Sequence, residues 1–297
     1  MPATNFPTSR FLLIVDGQEA GFVQSVEGGA VSAEVIAVSS GSELFSSKHI
    51  GPPQYEDLGI QIGLSMSPAF YAWVADSWVT RQRQRDLSVI VCDAQLKAIQ
   101  ESQFFRTLIT ETTFPALDAS SKDAGTIDIK FTPELSRTKK GSGQLVPTSA
   151  PTKQKQWLVS NFRLDIPGLD CAKVSRIDTF TVKQTLIRHT DGAGATRIAP
   201  DRLDFPNLKI SLAESSAQSW LQWHEDFVVK GNNGAGQERK GSLTLLAPNL
   251  TSELVRINFF NLGIFRMGRE KAAADKQAIA RLTAELYCER MELVVIS

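Results

Sequence analysis

The chain reads as one unit written twice. Phe11-Leu12-Leu13-Ile14-Val15-Asp16-Gly17 opens the first half, and Phe162-Arg163-Leu164-Asp165-Ile166-Pro167-Gly168 opens the second. A Trp-bearing segment follows in each, Phe70-Tyr71-Ala72-Trp73 and Trp220-Leu221-Gln222-Trp223, and then an apolar run, Ser88 to Cys92 and Ser242 to Leu246. The matched features lie 151 (11 to 162), 150 (73 to 223) and 154 (88 to 242) residues apart. A nearly constant offset through unlike elements predicts two copies of one fold, and such a chain suits a symmetric assembly.

At 297 residues the chain has room for about two ordinary domains. Lys plus Arg equals Asp plus Glu, 32 against 32, so no net charge points to nucleic acid or an anionic membrane. The halves differ in sign: residues 1–150 hold 12 basic and 16 acidic side chains, and residues 151–297 hold 20 and 16. No basic stretch leads into an apolar one at Met1 to Phe6, so no signal peptide and synthesis in the cytoplasm are expected. No apolar run of about 18 residues suggests a membrane-spanning helix. Cys92, Cys171 and Cys288 are odd in number and scattered, which favours buried free thiols.

The stretch from Thr138 to Lys153 is rich in Gly, Ser, Pro and Lys and has no apolar period. It divides the chain into a first domain, 1–137, a linker, 138–155, and a second domain, 156–297, each with a core of its own. In the first, Asp16-Gly17 is a hairpin turn, and Leu58, Ile60, Ile62 and Leu64 alternate as in a half-buried strand. A polar loop is expected from Ser39 to Ser47 and a chain break at Gly51-Pro52-Pro53. Ser67-Pro68 caps and starts a helix whose apolar stripe includes Phe70, Trp73 and Val74. Ile127, Ile129 and Phe131 alternate again. The second half repeats the order: a long strand pair over 174–187, an alternating strand at Leu208 to Leu212, a helix over 219–229, and strands to the end, with 270–281 also compatible with helix. The fold class is therefore mainly β, two tandem antiparallel barrels or sandwiches with one packed helix each, and not a doubly wound sheet.

This succession resembles the tail-tube family of contractile phages and related injection machines, including the haemolysin-coregulated tube protein of type VI secretion. The resemblance rests on the apolar strand into Asp16-Gly17, the Gly-rich turn after Val26-Glu27, Gly51-Pro52 before the strand ending at Gly63-Leu64, and Phe70 to Trp73 on the helix. It closes on Phe114-Pro115, Leu117-Asp118-Ala119 and Ile127 to Phe131. The second half departs from it, lacking the Gly-Pro break and carrying an extra stretch at 266–277. The resemblance implies a small barrel or sandwich whose sheet lines a six-fold ring around a channel. It places the inter-subunit hairpin at 39–48, so Ser39, Gly41, Glu43 and Lys48 are candidate contacts, with Arg188 and Arg197 in the corresponding loop at 188–202.

Catalytic chemistry finds little support. His49, His189 and His224 fall in no metal-binding spacing, and the glycine runs at 192–194 and 231–236 fit neither a dinucleotide fingerprint nor a P-loop. No catalytic, metal or cofactor site is expected. Arg81, Arg83 and Arg85 form a solvated helix end or meet an acidic neighbour in a ring, and they lack the basic and aromatic surroundings of a nucleic-acid patch. The paired Trp residues read as core rather than as a sugar platform.

The expected function is thus structural: a ring of a contractile tail or injection system, either repeating tube or single baseplate ring. Three chains would make a pseudo-six-fold homotrimer that associates with tube, spike, sheath and baseplate proteins. Gln61, Asp128 and Lys130 are candidate channel-facing residues. A two-domain β-sandwich that binds carbohydrate or another ligand is the alternative.

Overall fold

Asp16 and Gly17 both take positive φ, 49° and 77°, and close a two-residue hairpin turn between Val15 and Gln18. Such a turn matches the right-handed twist of paired strands, which is why Asp-Gly marks it in the sequence. The computed structural model describes residues 10–38, 46–79, 83–146, 157–192, 196–270 and 280–296.

The first half contains β1 (Arg10–Val15), β2 (Gln18–Val23), β3 (Ser25–Gly28), β4 (Val31–Val38), β5 (Ser47–Tyr55), β6 (Leu58–Ile62) and helix α1 (Pro68–Ser77). It continues with β7 (Arg85–Cys92), β8 (Ala98–Phe114), β9 (Leu117–Asp118), β10 (Ile127–Thr132) and β11 (Leu135–Lys140). The second half contains β12 (Phe162–Asp165), β13 (Val174–Ile177), β14 (Phe180–Thr190), β15 (Thr196–Asp204), β16 (Leu208–Ala213) and helix α2 (Gln218–His224). It ends with β17 (Arg239–Leu246), β18 (Glu253–Arg269) and β19 (Arg281–Val295).

The two sheets have the same strand order. In the first half β1-β7-β8-β10-β6-β3 are hydrogen-bonded neighbours, and in the second β12-β17-β18-β19-β16-β13 are. The likeness extends to irregularities. Arg106 in β8 and Asn261 in β18, 155 residues apart, both have positive φ, 49° and 55°. The β8–β10 register slips at Ile109/Glu111 and the β18–β19 register slips at Ile264/Arg266, again 155 residues on. The β4–β5 and β14–β15 hairpins slip at Ala33/Val35 and Gln184/Leu186, 151 residues apart.

Alternation decides which face is buried. Leu58, Ile60 and Ile62 of β6 and Ile127, Ile129 and Phe131 of β10 point into the core, while Gln61 and Asp128 lie on the other face. Helix α1 covers the apolar face. Ser67 Oγ accepts the Phe70 N–H at 3.3 Å as its cap, Pro68 opens the first turn, and the Trp73 ring stacks on Phe131 at 5.5 Å. Trp73, Trp78, Trp220 and Trp223 are all buried, as core residues should be.

Several expectations are corrected. The halves share one continuous core: Val74 of α1 and Ile62 line the same apolar crevice as Val255 and Leu293. Gly51-Pro52-Pro53 lies inside β5, which among the described residues pairs only with β4, so no central ladder bond is lost at the prolines. The expected polar loop gives way to strand at Ser47, and the 188–202 segment is mostly the two strands of the β14–β15 hairpin. The expected 174–187 strand pair is two strands, β13 and β14, that pair with other strands and not with each other. Linker residues Thr138 to Lys140 belong to β11, paired with β8. Arg266 to Arg269 are no insertion but the end of β18, opposite β19. The second half gains its extra residues between α2 and β17, where the offset between matched positions grows from 150 to 154. The helical alternative at 270–281 falls mostly outside the described residues.

Candidate functional site

The two halves meet by extending one sheet into the other. Strand β8 has β10 along one edge; its other edge holds β7 only as far as Thr107. Beyond that point β14 takes the vacated edge, with Phe180 opposite Phe114, Thr181 opposite Thr113, Val182 opposite Thr112 and Lys183 opposite Glu111. Next to it, β13 pairs with β9 through Arg176–Asp118 and Ile177–Leu117. The Phe114 and Phe180 rings stack at 5.3 Å with planes 10° apart, and Trp78 meets Phe114 edge-on at 6.0 Å. Thr113 and Thr181 hydroxyls touch at 2.9 Å.

A buried carboxylate fixes the hairpin on this junction. Glu134, 6% exposed, stands in the turn between β10 and β11 and accepts the backbone N–H of Ile198 in β15 at 2.9 Å. Arg197 Nη1 reaches the same carboxylate at 3.1 Å, and Arg106 also pairs with it. Gln84 Nε2 bridges Glu134 Oε1 at 3.0 Å and the Ile198 carbonyl at 2.9 Å. Burial pushes the Glu134 carboxyl upward, but the Ile198 N–H, Gln84 and the two arginines outweigh it and hold it below the ordinary glutamate value.

The polar face of the joined sheet carries the predicted Gln61, Asp128 and Lys130 together. Gln61 Nε2 donates to Asp128 Oδ1 at 3.0 Å, and Lys130 pairs with Glu111 at 3.2 Å. Glu111 also faces Lys183 across the junction at 3.7 Å. In the second half this face is more basic: Arg176, Lys209, Arg266 and Arg269 line it, with Asp178 and Glu285 as partners.

The other predicted contact residues are dispersed. Ser39, Gly41, Glu43 and Arg81 lie outside the described residues. Lys48 is exposed in β5, and Arg188 is exposed in β14. Arg83 lies between α1 and β7, where its carbonyl accepts from Trp73 Nε1 at 3.1 Å. Arg85 is no helix end: it opens β7, pairs with Asp16 at 3.0 Å and lies 5.8 Å from the Trp73 ring centre. Arg197 does reach the junction, through Glu134 and Asp191. Sequence reasoning missed Glu134, Phe114 and Phe180 as junction residues. The sequence offset held a signal for the first, because Glu289 stands 155 residues after Glu134, at the spacing that relates β10 to β19.

The thiols are not poised as nucleophiles. Burial pushes Cys171 and Cys288 up to about 11. No described helix is long and apolar enough to cross a membrane. Among the described residues, no group of three or more His, Cys, Asp or Glu could hold a metal ion.

Residues 7–134 match the sequence profile of the T4-like virus tail tube protein gp19 family. None of the curated proteins matches the chain. Among solved structures, a chain of the PVC extracellular contractile injection system sheath–tube complex is 18% identical, aligns over 46% of this chain and 93% of its own, and has a TM-score of 0.40. A chain of the anti-feeding prophage baseplate gives 14%, 46%, 93% and 0.38 on the same measures. Hcp1 from Flavobacterium johnsoniae gives 12%, 46%, 95% and 0.28. Residues 7–134 of this mainly β chain are similar to the T4-like virus tail tube protein gp19 family, and the chain is a structural component of a tail.

Proposed function

We propose that the chain is the subunit of a channel-enclosing ring in a contractile tail or injection particle. It carries two fused tube-type units that arose by duplication, the first ending with β11 and the second beginning near Trp157. Three chains close a pseudo-six-fold ring in which first and second halves alternate. The polar face bearing Gln61, Asp128 and Lys130 lines the channel, and the closed sheet leaves no free edge. Tube, spike, sheath and baseplate proteins of the same particle are its partners. Its role is geometric rather than catalytic.

The observation that carries this reading is the shared strand order of the halves, together with a junction that continues one sheet into the next. A junction of that kind repeats naturally around a ring. The more basic face of the second half favours a ring with two specialised positions, as suits a single adaptor ring between a three-fold spike and a six-fold tube. Native mass spectrometry of the purified chain tests the stoichiometry: a complex of three chains is expected, and a stable monomer or a complex of six overturns it.

A further inference from the structure

The connection from α2 to β17 is longer than the one from α1 to β7, because the offset rises from 150 at the helices (73 to 223) to 154 at the strands (85 to 239). The extra length changes the surroundings of a buried indole. In the first half Trp73 Nε1 donates to the Arg83 carbonyl at 3.1 Å, inside the α1–β7 connection. Trp223 holds the corresponding place, and an arginine lies against each ring, Arg85 at 5.8 Å and Arg239 at 5.0 Å. With the rings placed alike, the Trp223 N–H is directed at the lengthened connection. Trp223 is 5% exposed, and its Nε1 has no hydrogen-bond partner among the described residues. A buried donor without an acceptor is costly unless another molecule accepts from it.

Trp223 also lines a groove of about 260 Å³. Helix α2 and its continuation line one wall with Ser219, Gln222 and Asp226, whose spacing puts them on one face. The connection lines the other with Asn232 and Gln237, and Asn232 Nδ2 joins the walls by donating to Asp226 Oδ1 at 2.8 Å. Arg239 is fixed beside them by the Trp223 ring and by donation from Nη1 to the Pro167 carbonyl at 2.6 Å. Two of these polar groups are particular to the second half, since Ala69 and Ala72 stand at the Ser219 and Gln222 positions of α1. Both alanines are exposed although α1 adjoins the in-chain junction, so this face of the helix stays open where two halves join.

The lining selects a class of ligand. Arg239 and Asp226 balance in charge, and the amides of Gln222 and Gln237 each offer a donor and an acceptor. An anion would meet Asp226, with Glu225 and Glu238 close in sequence, and a cation would meet Arg239. A neutral molecule with several hydroxyls suits both, because each hydroxyl can accept from the indole or guanidinium and donate to the carboxylate. The volume lies near the roughly 300 Å³ lower end of small-molecule sites, which favours one ring over a longer chain.

We propose that the α2–β17 groove of the second half binds a single sugar ring, free or at the end of a glycan, with Trp223 Nε1 and Arg239 donating to its hydroxyls and Asp226 accepting from them. Trp223 serves through its edge, because Arg239 lies over the ring face. The site goes beyond the ring reading and does not depend on it.

Saturation-transfer NMR on the full-length chain tests this, with glucose, galactose, mannose and N-acetylglucosamine as probes at about 10 mM, tenfold above a millimolar Kd. At least one sugar should receive transfer. Gln222→Ala, at an exposed helix position, should raise its Kd about tenfold with the circular dichroism unchanged. Deleting the exposed residues 233–236, which restores the first-half spacing, should abolish transfer. Capture of array glycans that end in the same sugar would identify a glycan as the source, and transfer without capture a free sugar. No transfer from any of the four, transfer unaltered by both variants, or transfer from the peptide mimic N-acetylglycinamide alone would overturn the proposal.

Discussion

The Glu134 carboxylate accepts the Ile198 backbone N–H at 2.9 Å, across 64 residues of sequence and from one half of the chain to the other. A buried carboxylate with several donors is a specific tie, because removing it leaves the donors without their acceptor. Glu134→Ala should therefore cost about 3 kcal/mol of stability. Urea unfolding checks this; a loss below about 0.5 kcal/mol would mean that the tie is structurally idle.

The same carboxylate sets a pH dependence. Its folded-state pKa lies below the ordinary glutamate value. Between the two values the unfolded chain binds the extra proton, so the stabilisation is complete above the unfolded pKa of about 4.3 and is lost as pH falls through the folded one. Stability should decline on acidification below about pH 4.3, and Glu134→Gln should flatten that decline. Unfolding curves for both proteins at stepped pH check it.

Phe180 is the apolar half of the junction, stacked on Phe114 and almost fully buried. Phe180→Ala should cost about 3–4 kcal/mol. A lowered urea midpoint checks this, and an unchanged midpoint would contradict the stacking of Phe180 on Phe114.

Gly263 in β18 lies directly under the Tyr287 ring, where an added Cβ would overlap the ring carbons. Gly263→Val should cost about 2 kcal/mol through overpacking. Calorimetry of the variant checks this, and an unchanged melting temperature would contradict the placement of Tyr287.

Much of the fold was legible because it rests on local chemistry. Asp16-Gly17 fixes a turn, Ser67-Pro68 starts a helix, and the alternation in β6 and β10 separates core from polar face. The polar face was legible for the same reason, since Gln61, Asp128 and Lys130 fall between buried neighbours. The junction was not. Nothing local to Phe114 or Phe180 says that they stack on each other 66 residues apart in sequence, and no single-site pattern marks Glu134 as buried. Arg85 shows the same limit. It ends an Arg-Gln-Arg-Gln-Arg run that reads as solvated, yet it faces the Trp73 ring, and Arg239 faces Trp223 at 5.0 Å in the second half. That pairing depends on a strand and a helix meeting in space. The sequence offset could have exposed it, because Arg85 and Arg239 are spaced like the strands that carry them.

The central claim is that the halves alternate around a ring, the in-chain junction recurring between chains. Cryo-electron microscopy of the assembled particle, resolved enough to trace the chain, tests it most directly. The account predicts three chains per ring, with first and second halves alternating. Six chains per ring, or rings in which the halves do not alternate, would contradict it.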